Sequence, residues 1–231
     1  METRAEIRAI LLDMDGVIID SEKLYREAWQ QAARELGFEL SDERYASYLG
    51  LTIPDAEEAI GRDFGPSFPV ARFHEIWPVH WRRRVRTRGM PVKPGLRDLL
   101  EVIQKHRLGV AVATSSDAEV AAFSLDAAGL DGLFPCVVTG DQVPQGKPAP
   151  DIFLEASRRL GVPPPFCLVI EDSEAGIRAA SRAGMPSIFI PDLKPPSAQV
   201  LQLAHRIFPS LREAAEFLDA MGLPADPDDH R

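Results

Sequence analysis

The chain has 231 residues, 45% hydrophobic and 26% charged, which is enough to bury a large core, with or without a smaller lobe. A formal net charge of -9 and a pI near 5.1 argue against a nucleic-acid or anionic-membrane surface, so an anionic ligand would need a local positive site. No apolar run reaches transmembrane length, none near the start is long enough for a secretory signal, and a cytoplasmic location is expected.

The first predicted strand covers residues 7–12 and runs straight into Asp13-Met14-Asp15-Gly16. Two carboxylates so close at a strand end are costly, since charges 4 Å apart repel by about 4 kcal/mol at an effective dielectric near 20. An ordinary Asp/Gly turn would read the same way. A calcium loop would not, because Val17-Ile18-Ile19 stand where oxygen ligands should recur. The pair makes sense if cations offset it, one carboxyl attacks and the other moves protons.

From about residue 21 to 88 the pattern turns helical, first around Leu24, Ala28, Trp29, Ala32 and Leu36, then over 41–49, 54–62 and 70–86. Trp29 reads as core, and the run Arg82-Arg83-Arg84-Val85-Arg86 reads as a solvated helix face. A helical lobe is therefore expected between the first strand and the rest of a sheet, joined through residues near 18–20 and 89–94.

Further on, apolar runs at 109–114, 136–139, 166–170 and 187–190 alternate with helical segments at 95–106, 117–128, 150–160 and 174–183. That alternation, without polar interruption inside the strands, predicts a parallel α/β sheet covered on both faces. Ser116-Asp117-Ala118-Glu119 reads as a capping box. Gly129, Gly161 and Gly184 follow their helices as terminators. Cys136 and Cys167 are expected as buried free thiols in a reducing compartment, and the Pro- and Asp-rich tail 223–231 as frayed.

Ligands of open parallel sheets bind beyond the carboxyl ends of the strands. Four loaded segments fall there: Asp13 and Asp15, Thr114-Ser115-Ser116, Gly146-Lys147-Pro148, and Glu171-Asp172-Ser173. Thr114 and Ser115 suit a phosphate oxygen, Lys147 a transferring phosphoryl group, and Glu171-Asp172 the hard-oxygen coordination of Mg²⁺. Read singly, the hydroxyls are helix caps, the lysine a solvated loop residue and the acidic pair a helix-dipole cap. Together they read as phosphoryl-transfer machinery.

This set resembles the haloacid dehalogenase superfamily, in its branch of β-phosphoglucomutases and small sugar-phosphate phosphatases. The matching text is 11–22 around Asp13-Met14-Asp15-Gly16, Ala113-Thr114-Ser115-Ser116, Gly146-Lys147-Pro148-Ala149-Pro150-Asp151-Ile152-Phe153, and Ile170-Glu171-Asp172-Ser173-Glu174-Ala175-Gly176-Ile177. The resemblance implies a Rossmann-like parallel sheet core at 1–18 and 91–231, with an inserted α-helical cap at 19–90. It implies a Mg²⁺-dependent phosphatase acting on a small phosphorylated metabolite, such as a sugar phosphate, as a monomer or weak dimer.

By the same resemblance, Asp13 is the nucleophile and Asp15 the general acid. Thr114 and Lys147 hold the phosphoryl group, with Ser115 beside it. Asp13, the backbone carbonyl of Asp15 and Asp172 are the metal ligands, with Glu171 direct or through water. The second Asp is absent from the dehalogenases of the superfamily, so Asp15 implies a phosphate monoester. Glu22, Tyr25 and Thr52 are expected to line the substrate cavity. Mutase relatives carry a His twelve residues after the nucleophile and a cation near a cap glycine; here stand Tyr25 and Leu49-Gly50-Leu51-Thr52-Ile53-Pro54. A sugar-phosphate phosphatase is thus favoured over a mutase, with phosphoglycolate or sugar-bisphosphate hydrolysis as further alternatives, and the intact Asp13, Asp15, Lys147 and Asp172 speak against a non-enzymatic binding protein.

Overall fold

The structure, a computed structural model, describes residues 6–49, 51–192 and 195–221. Among these residues the order is β1 (Ala9–Leu12), α1 (Glu22–Glu35), α2 (Asp42–Tyr48), α3 (Ile53–Phe64), α4 (Val70–Arg88), α5 (Leu96–Lys105), β2 (Gly109–Ala113) and α6 (Ala118–Ala127). There follow β3 (Val137–Val138), α7 (Asp151–Leu160), β4 (Cys167–Glu171), α8 (Glu174–Arg182), β5 (Ser187–Phe189), α9 (Ala198–Leu203), β6 (Arg206–Ile207) and α10 (Leu211–Ala220). The expected tail at 223–231 lies outside the described residues, as does Gly50.

The strands form one parallel sheet in the order β3-β2-β1-β4-β5-β6. This is the parallel α/β sheet the alternation predicts and the Rossmann-like fold the resemblance implies. All four residues of β1 and all five of β4 are buried, as required of central strands covered on both faces. Leu12 pairs with Val112 on one side and Ile170 on the other, so β1 lies where the strand order reverses. Such a reversal opens a crevice at the carboxyl ends.

Three elements were not anticipated: β6, α9 and α10. Two residues, one of them Arg206, are too few to show a strand pattern. For α10 a signal did exist in Ser210-Leu211-Arg212-Glu213: Ser210 is the N-cap, its hydroxyl accepting from Glu213 N at 3.5 Å and donating to Glu213 Oε2 at 2.6 Å. The capping box proposed for α6 is corrected. Asp117, not Ser116, is the N-cap, its carboxylate accepting from Val120 N at 2.8 Å. Gly129, Gly161 and Gly184 do stand at φ of 67°, 69° and 69° after their helices.

The chain divides into two compact units, one from Ser21 to Met90 and one formed by the residues up to Asp20 and from Pro91 onward. Within the sheet unit, the two crossing segments are tied together. Lys93 N donates to Ile18 O at 2.9 Å, Asp20 N to Pro91 O at 2.8 Å, and Ile19 and Val92 form an antiparallel bridge.

The helical unit packs around Trp29, whose ring meets Phe73 edge-on at 5.0 Å. Glu57, buried between α3 and α4, accepts from Trp77 Nε1 at 2.6 Å and lies 2.9 Å from His74 Nδ1. The basic run is not a uniformly solvated face. Arg84 binds Glu27 and Gln31, and Arg88 binds Glu27, because α1 presents those partners along α4. Cys136 is only half-buried and Cys167 buried; both are free, and burial raises both thiols above the usual range. Among the described residues no helix is long and apolar enough to cross a membrane.

Leu11 is fully buried at the centre of the sheet. Truncation there loses transfer energy and leaves a cavity, so Leu11→Ala is expected to cost about 2–5 kcal/mol in denaturant unfolding.

Candidate active site

The end of β1 is held in place by backbone pairing: Asp13 N donates to Ile170 O at 3.0 Å, one residue beyond the strand. The chain then turns sharply. Met14 O accepts from Ile18 N and Ile19 N, and Gly16 N donates to Ile19 O at 2.9 Å. Gly16 sits at φ 81°, and a Cβ there would overlap the carboxylate of Asp172. A glycine is therefore needed both for the turn and for Asp172 to lie against it.

Lys147, reached from β3 through a 3-10 turn at Gly140–Gln142, is not the solvated loop residue its Gly/Pro flanks suggest. Its side chain is 4% exposed. The ammonium donates to Asp13 Oδ1, to Glu171 Oε1 at 2.7 Å and to Ala113 O at 2.9 Å, and lies over the Phe153 ring. All three donors are thereby used.

Glu171 is fully buried and is the last residue of β4 rather than the first beyond it. Its Oε2 accepts from Asp172 N, Ser173 N and Ser173 Oγ at 2.8–3.0 Å. Its carboxylate also rests on Gly176 of α8, where a Cβ would overlap Oε1. Sequence reasoning passed over Gly176. Its signal is an unexplained glycine inside a helix, which marks a close approach.

The remaining positions are more open. Thr114 is buried, and its Oγ1 accepts from Ser116 N at 3.1 Å. The Ser116 hydroxyl donates to Asp15 Oδ2 at 3.4 Å, a partner the sequence reading did not assign. Ser115 is exposed and Asp15 half-buried. In the helical unit, Glu22 opens α1, and Tyr25 stacks on Trp81 with ring centroids 5.2 Å apart. Thr52 caps α3, accepting from Asp55 N at 3.3 Å and donating to Asp55 Oδ2.

The electrostatics follow from this crowding. Burial, helped by the charges of Glu171 and Asp15 and opposed by Lys147, pushes the Asp13 carboxyl above its usual range. Burial and then the charges of Glu171, Asp13 and Asp192 raise Asp172. Burial disfavours the Lys147 ammonium, but Asp13 and Glu171 outweigh it and hold its pKa above the usual lysine range. Asp13, Glu171 and Asp172 bring carboxylate oxygens within 4.8 Å of one another, a hard-oxygen set whose charge Lys147 does not offset in full. That donor set fits a small divalent cation. The Asp15 side chain is not part of it.

Residues 10–190 match the family model of the haloacid dehalogenase-like hydrolases. The chain belongs to that family. It is 34% identical over 188 residues to the phosphorylated carbohydrates phosphatase of Thermotoga maritima, covering 79% of this chain and 84% of that one. It is 31% identical to the fructose-1-phosphate phosphatase YqaB of Escherichia coli, covering 78% and 94%. Among solved structures, a family hydrolase from Deinococcus radiodurans with bound phosphate and sodium superposes with a TM-score of 0.80 at 26% identity, covering 95% and 98%.

Gly→Ala inside a helix normally stabilises by about 0.5–1 kcal/mol. Gly176→Ala is expected to do the opposite. The added methyl displaces Glu171 and with it Lys147, so thermal unfolding should move down and phosphate-ester turnover should fall in the same variant. A raised midpoint with unchanged turnover would show that the Gly176–Glu171 contact does not hold the site.

Proposed function

We propose that the chain is a Mg²⁺-dependent phosphoric monoester hydrolase that acts on a small phosphorylated metabolite, a sugar phosphate, through an aspartyl-phosphate at Asp13. The observation that carries this reading is the convergence of Asp13, Lys147, Glu171 and Asp172 where the strand order reverses, with Asp15 beside them. The carbohydrate-phosphate specificity named for two relatives supports the substrate class.

In this reading Asp13, Asp172 and the backbone carbonyl of Asp15 hold the cation, with Glu171 direct or through water. When bound, the cation neutralises phosphoryl oxygens and the carboxylates that would repel them. Asp13 attacks phosphorus while Lys147 keeps its carboxylate oriented, and the P–O bond to the leaving alcohol breaks. Asp15 gives the alcohol its proton. Asp15 then takes a proton from water, which attacks phosphorus and releases inorganic phosphate and the free Asp13 carboxylate. Thr114, with its own hydroxyl proton free to donate after accepting from Ser116 N, and Ser115 steady the phosphoryl oxygens.

We assign the sheet unit as the catalytic core. The helical unit, with Glu22, Tyr25 and Thr52, is the cap that discriminates between substrates. Tyr25, stacked on Trp81, offers no imidazole for the second proton transfer of a mutase, which favours hydrolysis.

Screening purified protein against phosphorylated metabolites with and without chelator tests the reading. Turnover is expected to stop on chelation and to return with Mg²⁺. Asp13→Asn is expected to be inactive with its unfolding midpoint retained; normal kcat in that variant would remove Asp13 as nucleophile.

Asp15→Asn is expected to lower kcat by about 10²–10⁴-fold on a sugar phosphate. The loss should be much smaller on an aryl phosphate, whose leaving group needs no proton. Equal losses in the phosphorylation step would take the general-acid role from Asp15.

A further inference from the structure

Lys93 and Asp192 form an ion pair of 2.6 Å with side chains only 17% and 13% exposed. Among the described residues of the sheet unit, only the Lys147 pairs are more withdrawn from solvent on both sides; Lys105–Asp219, for instance, is 62% and 38% exposed. No step of the proposed reaction uses this pair.

Its location is specific. Ile190 N donates to Glu171 O at 2.8 Å, so the chain leaving β5 toward Asp192 runs beside the end of β4 that carries Glu171 and Asp172. Lys93 belongs to the ribbon paired with Ile18 and Ile19, which continues directly from the Asp13–Gly16 turn. The pair thus joins the segments that follow the two halves of the acidic cluster. The Asp192 carboxylate thus stands on the segment that follows β5 beside the cluster, and the Lys93 ammonium paired with it offsets its charge.

We propose that Lys93 and Asp192 are positioning residues that set the charge at the Asp13–Glu171–Asp172 cluster, and so balance its affinity for a divalent cation against its affinity for phosphate. This rests on the metal-dependent reading above. Removing the ammonium leaves Asp192 uncompensated, which strengthens cation binding and weakens anion binding. Removing the carboxylate charge does the reverse. A partly screened charge near the cluster corresponds to about a three- to tenfold change in each direction.

The test is calorimetric titration of Mg²⁺ into the full chain, with inorganic phosphate as competitive inhibitor in a turnover assay at saturating Mg²⁺. Lys93→Met should bind Mg²⁺ about three- to tenfold more tightly and phosphate correspondingly more weakly, whereas Asp192→Asn should do the opposite. Lys93→Arg should keep wild-type affinities, and Lys105→Met, which removes an amine at the far end of α5, should leave both unchanged. Shifts of the same sign in both variants, or none, overturn the proposal and leave the pair purely structural. Should Lys93→Met fail to fold, Asp192→Asn decides alone, and unchanged or tighter Mg²⁺ binding overturns it. A wild-type chain that binds no Mg²⁺ removes the metal reading and this proposal together; a wild-type chain that binds Mg²⁺ beside unshifted variants removes only this proposal.

Discussion

A buried ammonium between two carboxylates is the interaction on which the rest of the site depends. Without Lys147, Asp13 and Glu171 would face each other and Asp172 in a setting where neighbouring charges repel by about 4 kcal/mol per pair. Breaking such a buried pair by removing one partner typically costs about 3–5 kcal/mol, because the remaining charge is stranded. The lysine is held as much as it holds. Glu171 Oε2 is pinned by two backbone amides and the Ser173 hydroxyl, leaving Oε1 to fix the ammonium, and Gly176 leaves room for that carboxylate. A helix glycine thus reaches Asp13 through two charged side chains. The remaining negative charge explains why the cluster suits a cation as well as a lysine.

Backbone geometry supplies the frame for that charge. The reversal of strand order between β1 and β4 leaves Asp13 and Glu171 at adjacent strand ends, and the Asp13–Ile170 hydrogen bond carries the pairing up to Asp13 itself. Groups on rigid strand ends lose little orientation when a ligand binds, which is what a charge-stabilising site requires. The helical unit has its own means of holding together: an aromatic core around Trp29 and the buried Glu57 accepting from Trp77.

Several features were legible because they are local. Uninterrupted apolar runs marked five strands, and helical spacing marked the segment after Asp20 and the helices between strands. The order of loaded residues after successive strands pointed to one rim. The misreadings arose where a local rule had two solutions. Ser116 and Asp117 could each cap α6; the structure uses Asp117, and Ser116 turns to Asp15. Cys136 lies near the short edge strand β3 and so is only half-covered.

The sequence by itself determined the sheet's apolar strands, the insertion of a helical segment after the first of them, and the chemical identity of the groups beyond their ends, because these depend on residue type and periodicity. Only the tertiary structure decided that Lys147 is buried, that Glu171 holds it while Gly176 makes room, and that Lys93 meets Asp192. Such pairings join residues up to 134 positions apart. They are set by strand order and by which segments cross at the switch point, and no spacing along the chain encodes that directly.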